Sequence, residues 1–161
     1  MQPDKVLAQL TDPKGDFHID VTSKAIEVLV QKKALRGMKI LNLGCGTDPV
    51  LARTLRAMGA LVFTADIKPA SAFAITADRL NSVFARAERE HHVVLDLRTP
   101  DWPEKILKAT GGNFDIVTEA HLRTEGVLLE EASVLRLTRK GGVRFVADSV
   151  FIGHRSLTQK R

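Results

Sequence analysis

One stretch of this chain restricts its fold more than any other. The apolar run Met38-Lys39-Ile40-Leu41-Asn42-Leu43 enters the turn Gly44-Cys45-Gly46-Thr47-Asp48, and a second run, Val62-Phe63-Thr64-Ala65-Asp66, ends in an acid. That acid falls about twenty residues after the turn, the layout of strand, tight turn, helix and strand in a nucleotide-binding βαβ half. Gly44 and Gly46 carry no Cβ, so the backbone can bend sharply and let a ligand lie against its N–H groups. Asp66, at a strand end, can accept hydrogen bonds from both hydroxyls of a ribose. A dinucleotide fingerprint needs Gly-x-Gly-x-x-Gly, and Pro49 stands where the third glycine belongs. The loop therefore argues against a nicotinamide dinucleotide.

Strand and helix signals alternate through the rest of the chain. Ile19 to Leu35 reads as a helix with Ile26, Leu29 and Val30 on one side, stopped by Gly37. Strands follow at Lys39 to Leu43 and Leu61 to Asp66, with a helix opened by Pro49 and closed by Gly59 between them. Pro69 begins a longer helix in which Phe73, Ala77, Leu80, Phe84 and Ala87 recur at helical spacing, a core stripe. His92 to Asp96 is a third strand, Trp102 to Ala109 a short helix and Phe114 to Glu119 a fourth strand. A helix over Val127 to Leu137, ending in Lys140-Gly141-Gly142, precedes a fifth strand from Val143 to Asp148. This order predicts an α/β fold, a doubly wound and mostly parallel sheet of about five strands with helices on both faces. The expected organisation is a single domain over residues 1–161, with an N-terminal helical segment at 1–37, a ligand-binding core at 38–150 and a basic tail at 151–161. Right-handed crossovers place Gly44 to Asp48, Asp66, Asp96, Glu119 and Asp148 along one edge of the sheet, where such sheets bind ligands.

With those residues in place, Asn42-Leu43-Gly44-Cys45-Gly46-Thr47-Asp48 resembles motif I of the class I S-adenosylmethionine-dependent methyltransferases, whose usual form is acid-x-Gly-x-Gly-x-Gly. Asn42 replaces the acid and Asp48 the last glycine; Asp48 either caps the helix at Pro49 or pairs with the ammonium of the cofactor. The resemblance runs from Lys39 to Asp148. It matches Asp66 to the ribose acid, Ile67 to the apolar residue beside adenine, and Asp96-Leu97 to the pair that reads the adenine edge. Phe114 to Glu119 looks like the fourth motif, and Leu137 to Gly142 like the turn before the fifth strand. The resemblance implies S-adenosylmethionine as cofactor, held by Asn42, Gly44, Cys45, Gly46, Asp48, Asp66, Ile67, Asp96, Leu97 and Glu119. Glu119 and His121 are the candidates for a catalytic general base or for orienting the acceptor.

The chain departs from the family at its end. Members continue past the fifth strand with a helix and a β-hairpin, whereas only Ser149 to Arg161 remain here, so the fold is expected to lack the final hairpin. The fifth strand then presents an open edge for the tail, the N-terminal helix, a homodimer partner or another chain to cover. The Asp/Asn-Pro-Pro-aromatic motif of amine methyltransferases is absent from Thr118-Glu119-Ala120-His121. Two functions follow: a methyltransferase of unidentified acceptor, or a noncatalytic S-adenosylmethionine-binding or partner-binding module that has lost its substrate-binding portion.

Composition narrows the remaining classes. The net charge of +5 is concentrated at the C-terminus, where Arg136, Arg139, Lys140, Arg144, Arg155, Lys160 and Arg161 face one acid, Asp148. That stretch is either a solvated face or a nucleic-acid contact. Tyrosine is absent and Trp102 is the only tryptophan, so base-stacking platforms are few. Cys45 is the only cysteine, which removes an intrachain disulfide and reads as a small residue in a crowded turn. His91 and His92 point to opposite faces of a strand, and His18 and His154 have no partner at ligand spacing, so no metal is expected. No apolar run is long enough to span a bilayer and the N-terminus lacks signal-peptide character, which leads to expecting a cytoplasmic protein with no membrane contact.

Overall fold

In the computed structural model, residues 31, 35–74, 79–120, 122, 125–148 and 154–161 are described. The expected N-terminal helix lies outside the described residues except for Gln31 and Leu35, and Leu35 is in a turn. The sheet begins with β1 (Lys39–Leu43), whose last four residues are all buried. A continuous apolar strand of this kind needs cover on both faces, which a central parallel strand receives. It pairs in parallel with β2 (Leu61–Asp66) on one side and β4 (Phe114–Ala120) on the other. β3 (His92–Val94) flanks β2, and β5 (Thr138–Asp148) flanks β4, both in parallel. β6 (His154–Gln159) closes the order β3-β2-β1-β4-β5-β6 and runs antiparallel to β5.

Helices cover both faces. On one, α1 (Val50–Ala57) lays Leu51, Ala52 and Leu55 against Ile40, Val62, Ile116, Val143 and Phe145. On the other, Trp102 and Ile106 of α3 (Trp102–Thr110) join Val134 and Leu137 of α4 (Glu131–Leu137) over Leu41, Leu43, Ala65 and Val117. At about 25 cal/mol per Å² of apolar surface removed from water, these two layers are the main favourable term in folding. The Lys39 side chain crosses the rear edge and donates to the carbonyls of Thr110 (2.5 Å) and Gly112 (2.7 Å). It thereby satisfies carbonyls at the end of α3 that lack helical partners.

The α/β doubly wound architecture is as expected, with four differences of detail. The helix expected from Pro69 is split: a 3₁₀ turn at Ala70–Ala72 and the buried Phe73 come first, and α2 runs Arg79–Glu90. Ala77 lies outside the described residues. The helix expected from Val127 begins only at Glu131. β5 starts at Thr138 and absorbs Lys140-Gly141-Gly142 as a bulge, the register jumping from Phe114↔Thr138 to Ile116↔Val143. Gly141 takes φ +79°, and a Cβ at Gly142 would collide with the Phe114 carbonyl, so glycine serves the bulge rather than a helix end.

The fourth difference concerns the edge. Residues 154–159 form a strand instead of a tail, pairing from Val143↔Gln159 to Asp148↔His154. Among the described residues the sheet has six strands, and β5 is covered by residues 154–159. A hairpin-like β5–β6 pair therefore stands where none was expected.

Candidate functional site

The strand order reverses between β1 and β4, and a crevice opens at such a reversal outside the carboxyl ends of the strands. Here a cleft of about 710 Å³ is lined by the glycine loop, by the ends of β2 and β3, and by the segment after β4. The volume suits a ligand of nucleoside size.

Gly44 and Gly46 have φ of +68° and +67°, which favours residues without Cβ. A Cβ at Gly44 would drive into Leu122, whereas nothing lies within 4 Å of where one on Gly46 would stand. Gly44 is thus closed in by packing, and Gly46 leaves space open in the cleft wall. The Gly44 N–H donates to the Ala65 carbonyl at 2.8 Å, tying the loop to β2.

Asp66 holds the loop from the other side. Its Oδ2 accepts the Gly46 N–H and its Oδ1 the Lys68 N–H, both at 2.9 Å. Asp96 repeats the second of these bonds, taking the Arg98 N–H at 2.9 Å. Asp66-Ile67-Lys68 and Asp96-Leu97-Arg98 are therefore the same local turn at adjacent strand ends, each leaving a carboxylate in the cleft wall and a cation two residues beyond. Between the two acids, Ile67 is 55% exposed, an uncovered apolar surface beside a polar edge.

Asn42, only 3% exposed, accepts the Thr118 hydroxyl at 3.2 Å and still lines the cleft. Asp48 does not cap α1: Pro49 takes that position without a side-chain bond, and the Asp48 carboxylate faces Arg53 Nη1 at 3.4 Å. Arg53 in turn pairs with the buried Glu88 of α2 and donates to the Ala74 carbonyl at 3.0 Å, so the floor beneath the loop is clamped by charge. The Cys45 thiol is pushed up to about 12, first by burial and then by the Asp66 carboxylate. It is un-ionised at neutral pH, as a packing residue would be.

The two catalytic candidates fare differently from the cofactor set. Glu119 is 4% exposed and bound twice by Arg144, at 2.5 Å to Nε and 2.9 Å to Nη2. It stands in a buried ion pair and is not among the residues that line the cleft. The sequence hid this because Arg144 lies on the next strand and reaches Glu119 only through the β4–β5 register. His121 lies outside the described residues. All the other proposed cofactor residues, Asn42, Gly44, Cys45, Gly46, Asp48, Asp66, Ile67, Asp96 and Leu97, line the same cleft.

Sequence reasoning missed Lys68, Arg98 and the wall formed by Leu122, Glu125 and Val127. The repeated Asp-x-Lys and Asp-x-Arg were the available signal for the first two. The wall is a turn in which the N–H groups of Glu125 and Val127 donate to the Leu122 carbonyl at 3.1 and 2.9 Å. An Arg98 Nη2 contact to the Glu125 carbonyl at 3.3 Å spans the two lips of the cleft.

The C-terminal basic residues are largely engaged within the fold. Arg136 pairs with Glu104, Arg139 with Asp115 and Arg144 with Glu119, while Lys160 donates to the Thr138 carbonyl at 2.7 Å. Among the described residues no cluster of three or more His, Cys, Asp or Glu is placed to hold a metal, and no helix is long and apolar enough to cross a membrane.

No curated protein sequence matches the chain. Solved structures do. An O-methyltransferase from Bacillus cereus in complex with S-adenosylhomocysteine superposes with a TM-score of 0.51 at 20% identity, over 93% of this chain and 64% of that one. A TehB-like SAM-dependent methyltransferase from Corynebacterium glutamicum gives 0.44 at 22% identity, over 75% and 60%. The methyltransferase MycE of the mycinamycin biosynthetic pathway, bound to magnesium and S-adenosylhomocysteine, gives 0.49 at 17% identity, over 83% and 35%. The chain thus spans about a third of the length of MycE. The first of these likenesses supports the fold. The family itself is shown by sequence, because the model of the leucine carboxyl methyltransferase family matches residues 11–139. The chain belongs to that family of S-adenosylmethionine-dependent methyltransferases.

Proposed function

We propose that this chain forms the S-adenosylmethionine-binding core of a methyltransferase whose acceptor presents a carboxylate. The observation that carries the reading is the shared cleft: an open Gly46, an Asp66 carboxylate oriented by two backbone N–H groups, the exposed Ile67 and the Asp96 turn all face one cavity. These residues suit the group. Asp66 would hold the ribose, Ile67 and Leu97 the faces of adenine, Asp96 its amino edge, and Asp48 or the loop N–H groups the amino acid moiety. When bound, S-adenosylmethionine supplies an electrophilic methyl on a sulfonium, which departs as a neutral thioether as an acceptor lone pair forms the new bond.

The protein's part is then mainly positioning, which can supply several kcal/mol of the barrier. A carboxylate acceptor fits this division of labour because it is ionised at neutral pH and needs no base to remove a proton. Glu119, engaged by Arg144, is not required as one. Lys68 and Arg98 are exposed at the cleft rim, Arg98 beside the Asp96 carboxylate and the Glu125 carbonyl.

Calorimetry with S-adenosylmethionine, S-adenosylhomocysteine and NADH tests the cofactor. Transfer of labelled methyl from S-adenosylmethionine into a base-labile ester in cell extract tests the acceptor class. Binding of S-adenosylhomocysteine with no labelled product would favour the noncatalytic module. Binding of NADH with none of S-adenosylhomocysteine would overturn the reading.

A further inference from the structure

His92 is held in a way that neither the cleft lining nor the methyl transfer accounts for. It opens β3, and each ring nitrogen has a partner at 2.7 Å: Thr64 Oγ1 at Nδ1 and the Lys68 carbonyl at Nε2. A carbonyl only accepts, so Nε2 carries the hydrogen, and in the neutral ring Nδ1 takes the hydrogen of the Thr64 hydroxyl. Thr64 is fully buried. The Phe73 ring packs T-shaped with the same imidazole, with centroids 4.8 Å apart and planes at 74°.

These contacts lead to the cleft by two routes. Lys68, whose carbonyl His92 holds, donates its own N–H to Asp66 Oδ1 at 2.9 Å. Ala74, next to Phe73, donates its N–H to the Thr47 carbonyl at 2.6 Å and accepts from Arg53 at 3.0 Å. His92 therefore ties together the two peptide segments that return to the glycine loop, one through Asp66 and one through Thr47.

We propose that His92 is a positioning residue for the cofactor: by holding the Lys68 carbonyl it restrains the backbone on the far side of the Lys68 Cα from the N–H that Asp66 accepts, and so the orientation in which Asp66 presents its carboxylate to a ribose. This rests on the S-adenosylmethionine-binding reading above. The carboxylate has two restraining N–H groups, from Gly46 and Lys68; the second belongs to the Ile67–Lys68 peptide, which joins at the Lys68 Cα the Lys68–Pro69 peptide whose carbonyl His92 holds. Release of the Lys68 carbonyl would free rotation of the backbone about the Lys68 Cα and loosen the N–H bond to Asp66, whose carboxylate could then sample rotamers that miss the ribose.

The test uses three substitutions of the full chain and two ligands, S-adenosylhomocysteine and its analogue lacking the ribose 2′-hydroxyl, with affinities from calorimetry. His92→Phe keeps the ring on Phe73 and removes both hydrogen bonds; His92→Gln retains a donor that reaches Lys68; His92→Asn retains only the Thr64 contact. The expected result is a loss of about tenfold for S-adenosylhomocysteine in His92→Phe and His92→Asn, near the worth of one hydrogen bond. His92→Gln should restore most of it, and the deoxy analogue should lose clearly less than the full ligand. Equal loss for both ligands, no loss in any variant, or unfolding of all three would overturn the proposal. If only His92→Phe fails to fold, the comparison of Gln with Asn decides it. Absence of binding by the parent protein would instead sink the cofactor reading on which it stands.

Discussion

Asp66 serves both the ligand and the loop, and its substitution has a double consequence. A charge-assisted hydrogen bond to a ribose hydroxyl is worth about 1.5–3 kcal/mol. Asp66→Ala should therefore weaken S-adenosylhomocysteine binding by about ten- to a hundredfold or more, measured by calorimetry. The same change leaves the Gly46 and Lys68 N–H groups without their acceptor, so the loop should also lose amide hydrogen-exchange protection locally. Asp66→Asn keeps one acceptor oxygen and should fall between. Unchanged affinity in Asp66→Ala would remove this edge from the cofactor site. From residues alone, Asp66 reads as a ribose-binding acid at a strand end; its bond to Lys68 is local, and its bond to Gly46 exists only once β1 and β2 are side by side.

At the scale of elements, β4 and β5 are joined by more than their ladder. Glu119 and Arg144 form a buried bidentate pair, and Arg144 Nη2 also donates to the Leu129 carbonyl at 3.2 Å, pinning the segment that leads from the cleft wall to α4. Removing one partner of a buried pair leaves an uncompensated charge, so Glu119→Ala should destabilise the protein by about 3–5 kcal/mol. Glu119→Ala combined with Arg144→Leu should recover much of that in urea denaturation. A single variant as stable as the parent would show that the pair contributes nothing. The junction of α2 and β3 carries a pH dependence. Burial, and then the nearby Arg56, hold the imidazole of His91 below its ordinary 6.5, and its ring rests 4.8 Å from Phe63. Above that value both folded and unfolded states hold a neutral ring and nothing is gained or lost. As pH falls through it, the unfolded chain takes up the proton more readily, so stability declines. The melting temperature should drop from pH 8 to pH 5, and less steeply in His91→Phe.

For the whole molecule, the decisive feature is the way the sheet ends. β5 runs eleven residues and would present a long open edge if β6 were not paired along it. A chain ended after Asp148 should therefore aggregate or swap strands, seen by light scattering as species larger than the parent. A monodisperse product of parental stability would show that β6 is dispensable. With β6 in place, covering β5 needs neither a second copy nor another chain.

Local patterns in the sequence were enough for the alternation of strands and helices, the glycine loop and the acids at the strand ends. Each depends on a short span: periodicity within one element, a missing Cβ within one turn, or the spacing from Gly44 to Asp66. The departures at the β5 bulge, at Glu119 and at residues 154–159 depend on residues far apart in the chain. Lys140-Gly141-Gly142 resembles a helix end until Phe114 lies beside it, where only a glycine fits against that carbonyl. Glu119 resembles a base until the β4–β5 register brings Arg144 against it. The C-terminal residues resemble a solvated tail until β5 offers them a ladder of unpaired N–H and C=O groups. Local sequence selects an element, because backbone propensity and side-chain period act over a few residues; the partner of each polar or charged group is set by the sheet register, which only the assembled fold provides.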